Sequence, residues 1–169
     1  MPLQVLIIRH AIAADAPSAG AADELRELTD KGRRKMRGAA AGLKRVLGRD
    51  LPDAIVTSPL LRAKQTAEIV ADALDVKEVE TADALAAGAG AASILRWLSR
   101  RRPAGECLAI VGHEPDLSRL IGLATSGEPR STIELKKGAA CLIEFPSAIR
   151  PGAAQLRWAL APAQLRKLS

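Results

Sequence analysis

Short runs of β-branched and aliphatic residues recur along this chain, and stretches with apolar residues at helical spacing lie between them. Val5-Leu6-Ile7-Ile8 is the first run, Asp53-Ala54-Ile55-Val56-Thr57 the second and Cys107-Leu108-Ala109-Ile110-Val111 the third. Apolar runs this short, without alternation, read as strands buried on both faces. After the first run comes a small-residue loop, Ala11 to Ala22, and then a helix N-capped by Thr29. Met36, Ala39, Leu43, Val46 and Leu47 form its buried stripe. Ser58-Pro59 reads as the start of a second helix, with Ser58 as N-cap and Pro59 at the first helical position. Ala63, Ala67, Val70 and Leu74 are its apolar face. Val76–Glu80 reads as a short strand, whereas Ala82–Ala92, rich in alanine and glycine, stays open between helix and loop. Ile94–Leu98 lies in a further helix, ended by Arg100-Arg101-Arg102-Pro103. Gly112-His113 leads into another, with Pro115 in its first turn and Leu117, Leu120, Ile121 and Ala124 on its buried side.

Ala140–Phe145 and Ala154–Leu160 close the chain as two strands. In the last, Leu156, Trp158 and Leu160 alternate with Arg157 and Ala159, as on a strand with unequal faces. Strands alternating with helices specify an α/β fold. The expectation is a three-layer α/β/α arrangement. A mostly parallel central sheet carries helices on both faces, and the C-terminal strand pair is antiparallel. One domain, 1–169, accounts for the whole length. In such folds ligands bind at the carboxyl ends of the strands.

Composition narrows the function classes. Lysine and arginine exceed aspartate and glutamate by 25 − 19 = 6, a balance that favours anionic partners. Aromatics are 2%, namely Phe145, Trp97 and Trp158, which argues against platforms that stack bases, so no nucleic acid is expected. Cys107 and Cys141 sit in separate apolar runs, as small buried hydrophobes rather than a disulfide or a zinc site. Runs such as Leu108–Val111 are far too short to cross a bilayer, and the N-terminus lacks a secretory leader, so a cytoplasmic chain with no membrane partner is expected.

The chain has two histidines. His10 follows the first apolar run and His113 the third, so in a parallel sheet both stand at the same end. Arg9 ends the first strand, where an arginine must reach solvent or meet an anion. Arg62 falls in the first turn of the second helix, a place where a cation is disfavoured unless an anion is also present. A histidine at a strand end is most often structural, and an arginine most often solvated. Together, the four describe a pocket for a phosphoryl group or similar oxyanion. No Gly-x-x-x-x-Gly-Lys loop supports a nucleoside triphosphate, and no ligand spacing supports a metal. No cofactor is called for. A Ser/His/Asp triad through Ser58 or Ser118 lacks a nucleophile-elbow sequence.

With those residues in view, the chain resembles the histidine phosphatase superfamily, which also contains phosphoglycerate mutases. Leu6-Ile7-Ile8-Arg9-His10-Ala11 is similar to its Arg-His-Gly motif. Thr57-Ser58-Pro59-Leu60-Leu61-Arg62-Ala63-Lys64-Gln65-Thr66-Ala67 resembles its second motif, and Val111-Gly112-His113-Glu114-Pro115 its third. The small size and the wording Gly112-His113-Glu114-Pro115-Asp116-Leu117 are most similar to the SixA-type phosphohistidine phosphatases. The resemblance implies His10 as the nucleophile that takes the phosphoryl group, with Arg9, Arg62 and a protonated His113 on its oxygens. It implies a metal-independent hydrolase for phosphohistidine on a protein, a histidine-phosphotransfer domain being one form that partner can take.

Two departures matter. Ala11 stands where the family motif has glycine, so the backbone there must be one a non-glycine residue tolerates. Many members also carry a carboxylic acid after the third strand to protonate the leaving alkoxide. Here Leu85-Ala86-Ala87-Gly88-Ala89-Gly90 offers none, and Asp83 and Glu114 are the nearby candidates. A missing acid favours phosphoramidates over alkyl phosphates, because imidazole leaves more easily than an alkoxide. The competing readings are a small-molecule phosphomonoesterase using Asp83 or Glu114, and a non-catalytic phosphate- or polyanion-binding domain. Three basic groups remain: Lys31, Arg33, Arg34, Lys35 and Arg37; Arg100–Arg102; and Lys136-Lys137. They read as solvated faces, with docking of an acidic partner as the alternative.

Overall fold

A computed structural model describes residues 2–15, 23–101 and 105–169. Arg102, Pro103 and residues 16–22, part of the expected small-residue loop, lie outside it. Six strands form one sheet in the order β3-β2-β4-β1-β5-β6. They are β1 (Leu3–Arg9), β2 (Ala54–Thr57), β3 (Val79–Thr81), β4 (Cys107–Gly112), β5 (Ala140–Phe145) and β6 (Gln155–Leu160). β1, β2, β3 and β4 pair in parallel, whereas β5 pairs antiparallel to both β1 and β6. The expected α/β architecture with an antiparallel C-terminal pair is what the chain adopts.

Why the strands lie where they do follows from their side chains. In β1, Val5 and Ile7 point to one face and Leu6 and Ile8 to the other, and all four are fully buried. One face is covered by α3 (Ala91–Arg101) and α4 (Asp116–Ser126), through Ile94, Leu98, Leu117 and Ile121. The other is covered by α1 (Asp30–Leu47), α2 (Leu61–Leu74) and α5 (Pro162–Lys167), through Leu43, Ala67, Val70 and Leu165. Thr29 caps α1 as its sequence implies, accepting the Gly32 N–H at 2.9 Å.

Several local expectations are corrected. α2 begins at Leu61, with Leu60 and not Ser58 at the cap position; the Ser58 hydroxyl accepts the Leu60 N–H and contacts His113. Pro115 precedes α4 instead of sitting inside its first turn. The short strand expected at Val76–Glu80 is β3, displaced to Val79–Thr81; it is an edge strand with all three residues exposed, so no apolar pattern marks it. The open segment resolves into a short 3-10 turn, Asp83–Leu85, then a loop in which Gly88 and Gly90 adopt φ of 85° and 93°, then α3.

β6 shows two unequal faces over Arg157–Leu160, where Trp158 and Leu160 are half-buried and Arg157 and Ala159 exposed, but Leu156 departs from that pattern. A bulge shifts the register, so Trp158 faces Leu142 while Leu156 faces Ile143 on the opposite side of the sheet, where it is 46% exposed. The chain also does not end on that strand. Pro162 starts α5, whose Leu165 packs so closely on α1 that only Gly42 fits opposite its carbonyl. Cys107 and Cys141 are buried free thiols, each pushed up to about 12 by burial. No helix among the described residues is long and apolar enough to cross a membrane.

Candidate active site

The parallel register brings three strand ends level. Arg9 stands opposite Gly112, and Thr57 opposite Val111. The ladder runs one residue further on both sides: the His10 N–H donates to Gly112 O at 3.1 Å, and the Ser58 N–H to Val111 O at 2.9 Å. His10, Ser58 and His113 therefore leave the sheet at one edge. The two imidazoles lie with ring centres 5.1 Å apart, tilted by 53°, and both are buried.

The loop after β1 is tied to the first turns of α2. The Ala11 N–H donates to Thr66 Oγ1 at 3.0 Å, and that hydroxyl donates to Arg62 O at 2.8 Å. Gln65 Oε1 accepts the Leu28 N–H at 2.8 Å. These bonds fix Arg62, the second residue of α2, beside His10. Ala11 has no positive φ, so its methyl group is tolerated where the family motif has glycine.

His10 Nδ1 lies 2.7 Å from Ala11 O. A carbonyl can only accept, so Nδ1 carries the hydrogen and Nε2 keeps its lone pair. Burial lowers the His10 pKa to about 3; the Ala11 carbonyl opposes this, while His113, Arg62 and Arg9 add to it. The ring is thus a neutral base with one fixed tautomer.

His113 Nε2 is 2.7 Å from Ser58 Oγ, which also accepts the Leu60 N–H at 3.2 Å. Burial, then the Arg62 charge, lowers the His113 pKa to about 4, against the opposing fields of Asp116 and Asp23. That shift favours the neutral ring without a bound anion; the protonated His113 that the resemblance implies concerns the phosphoryl-bound site. The contact is not a Ser/His/Asp triad either. His113 Nδ1 is buried and has no partner among the described residues, so no carboxylate orients the ring. Ser118 bonds to Ser131 Oγ and Pro115 O instead.

The arginines flank the histidines. Arg9 donates from Nη1 to Leu135 O at 2.8 Å. Arg62 donates from Nη1 to Asp23 O at 2.8 Å, and its Nη2 lies 3.4 Å from Asp23 Oδ2. Asp23 thus brings a carboxylate to Arg62, which Arg26 shares at 2.9 Å. Burial lowers both arginine pKa values, with Asp23 opposing at Arg62 and Glu114 and Glu134 at Arg9. Arg9 Nε, Arg62 Nε and His113 Nδ1 are all buried and unpartnered among the described residues. Three polar atoms of that kind at one strand edge suit an oxyanion with several acceptor oxygens.

The candidate acids are placed otherwise. Glu114 Oε1 accepts the Ser118 N–H at 2.7 Å and so caps the first turn of α4. Asp83 is exposed at the start of its 3-10 turn. A carboxylate that the sequence did not single out, the buried Asp116, accepts the Gly88 N–H at 2.8 Å and straps the glycine loop to α4. Asp116 directly follows the third motif and Thr66 lies within the second, which was their only signal; Asp23 had none. Among the described residues no three His, Cys, Asp or Glu side chains converge as a metal site would require.

The profile of the Histidine phosphatase superfamily (branch 1) matches residues 5–90. An uncharacterized protein of Picosynechococcus sp. is 37% identical over 136 residues, 80% of this chain and 81% of its own length. Among solved structures, the protein histidine phosphatase SixA complexed with tungstate superposes with a TM-score of 0.78 at 24% identity, covering 96% of this chain and 99% of that one. A SixA protein from Agrobacterium tumefaciens gives 0.76 at 21%, covering 96% and 99%. At those identities the likeness is one of fold.

Proposed function

Because this chain belongs to the histidine phosphatase superfamily and is in that broad sense a phosphatase, we propose that its substrate is phosphohistidine on a protein and that His10 carries the phosphoryl group in transit. The observation that carries this reading is the His10 ring. Its Nδ1–H is committed to the Ala11 carbonyl, which leaves Nε2 unprotonated beside Arg9 and Arg62.

The Nε2 lone pair attacks phosphorus while the bond to the substrate's imidazole nitrogen breaks. The electron pair leaves with that ring. When the substrate ring is protonated on its other nitrogen it departs as neutral imidazole, so no protein acid is needed. Arg9, Arg62 and His113 face the equatorial oxygens and stabilise their charge. An arriving phosphoryl dianion raises the His113 pKa, so the ring takes up a proton as the anion binds. Water then attacks phosphorus in phospho-His10, the P–N bond breaks, and the Nε2 lone pair is restored as inorganic phosphate leaves.

Tungstate, the anion of the SixA complex, is a tetrahedral phosphate mimic, which supports reading these donors as an oxyanion site. Glu114 is bound to a helix N–H and Asp83 is exposed, which supports a substrate with a good leaving group. The two arginines supply positive charge that a metal would otherwise provide. The test is turnover of a phosphorylated histidine protein and of p-nitrophenyl phosphate, each with and without EDTA. Release of phosphate from the histidine protein, unaffected by EDTA, is expected. Cleavage of p-nitrophenyl phosphate alone, or activity lost in EDTA and restored by metal, contradicts the proposal.

A further inference from the structure

The three basic groups of the sequence do not share one fate in the fold. Lys35 on α1, Lys136 and Lys137 before β5, and Arg166 on α5 line one cleft of about 550 Å³. The cleft opens beside the active site, since Arg9 and Ala11, the two neighbours of His10, are part of its wall. Ile12, Met36, Ala39 and Pro162 give it an apolar floor, and Glu134 is the one carboxylate among its described lining residues. None of the four cations forms an ion pair among the described residues. Lys35 feels like charges instead: Lys31 above all, then burial, Arg166 and Arg34 lower its pKa. Cations gathered beside a single carboxylate over an apolar floor are complementary to an acidic, partly aliphatic ligand.

We propose that this cleft docks an acidic segment of the phosphohistidine-bearing protein while its phosphorylated ring reaches His10. The inference rests on the phosphohistidine-protein reading above. A polypeptide fits better than a nucleic acid, because neither Trp97 nor Trp158 lines the cleft and its floor offers no surface on which a base could stack. Continuity with Arg9 means that an extended segment seated there leads directly to the reacting nitrogen.

Two charge-reversed forms test this, Lys136→Glu with Lys137→Glu, and separately Lys35→Glu. The first pair is exposed, and none of the three belongs to the catalytic group. The substrates are a histidine-phosphotransfer protein phosphorylated with phosphoramidate, and free phosphohistidine. Each form should raise KM for the protein roughly tenfold with kcat nearly unchanged, and the effect should fade in about 1 M salt. Turnover of free phosphohistidine should not change. An unphosphorylated Glu/Leu peptide should compete against the protein substrate but not against free phosphohistidine. Unchanged KM for the protein in both forms overturns the docking site and leaves the phosphohistidine reading standing. Equal losses on both substrates make the cleft part of a small-anion site, and stronger competition by an oligonucleotide than by the peptide makes it a nucleic-acid surface; either overturns the proposal. If the unaltered protein cleaves p-nitrophenyl phosphate but not the phosphorylated protein, the phosphohistidine reading and the docking site fall together.

Discussion

Both histidines of this chain sit in the site, so each imidazole reports on it without background. Burial and the neighbouring arginines place His10 at about 3 and His113 at about 4. At pH 7 a ring of pKa 4 is protonated in roughly one molecule per thousand. Binding an oxyanion changes this sharply for His113. One negative charge about 4 Å away in a medium of effective dielectric about 20 contributes about 4 kcal/mol, or about 3 pKa units. Saturation with tungstate should therefore lift His113 to about 7 or above, with uptake of up to one proton per anion bound. The assay is the pH titration of the two imidazole Cε1–H resonances, free and tungstate-saturated, with calorimetry in buffers of different ionisation enthalpy to count protons. The same shifts fix the sign of the pH dependence of stability. Both folded-state values lie below the ordinary 6.5, so the unfolded chain binds more protons in acid. The stabilisation is complete above about pH 6.5 and is lost as the pH falls toward 4 and then 3. Resonances titrating near 6.5 in the free protein, or a His113 unmoved by tungstate, would refute the electrostatic account.

Other expectations follow from particular contacts. Arg62→Lys loses the fork that spans Asp23 and the oxyanion site, and kcat/KM should fall about 10²- to 10³-fold; steady-state kinetics at near-wild-type levels would remove Arg62 from that role. Gly42→Ala gains helix propensity of about 1 kcal/mol but drives its methyl into the Leu165 carbonyl, so the net effect should be a loss of about 1–3 kcal/mol in urea unfolding. An unchanged midpoint would mean that α5 is not packed on α1 as described. In a series of aryl and alkyl phosphates the rate should fall steeply with leaving-group pKa, with phosphoserine nearly inert. A flat plot that turns steep in Asp83→Asn or Glu114→Gln would identify that residue as an acid.

What the sequence revealed depended on how local its cause was. β1, β2 and β4 were legible because each is an uninterrupted aliphatic run buried on both faces. β3 was displaced because three exposed edge residues carry no pattern, and α5 was missed because six residues with one buried leucine give no period. His10, Arg9, Arg62 and His113 could be grouped beforehand because each ends or directly follows a strand or falls in the first turn of the helix after one. Ser58 misled for the opposite reason: Ser-Pro is a strong local helix start, but its hydroxyl is held by a ring 55 positions away. Thr66 and Asp116 hold loop N–H groups, and Asp23 holds the Arg62 guanidinium, across contacts that only tertiary packing makes, so local spacing did not mark them.

The central claim is that the phosphoryl group passes through His10. Rapid mixing with a phosphorylated histidine protein, an alkaline quench that preserves P–N bonds, and peptide mass spectrometry test it directly. The account predicts a transient phosphate on the His10 peptide that rises before free phosphate appears and is absent in His10→Ala, whose turnover is also lost. Phosphate released by His10→Ala within about tenfold of the normal rate, or a label found on any other residue, would contradict it.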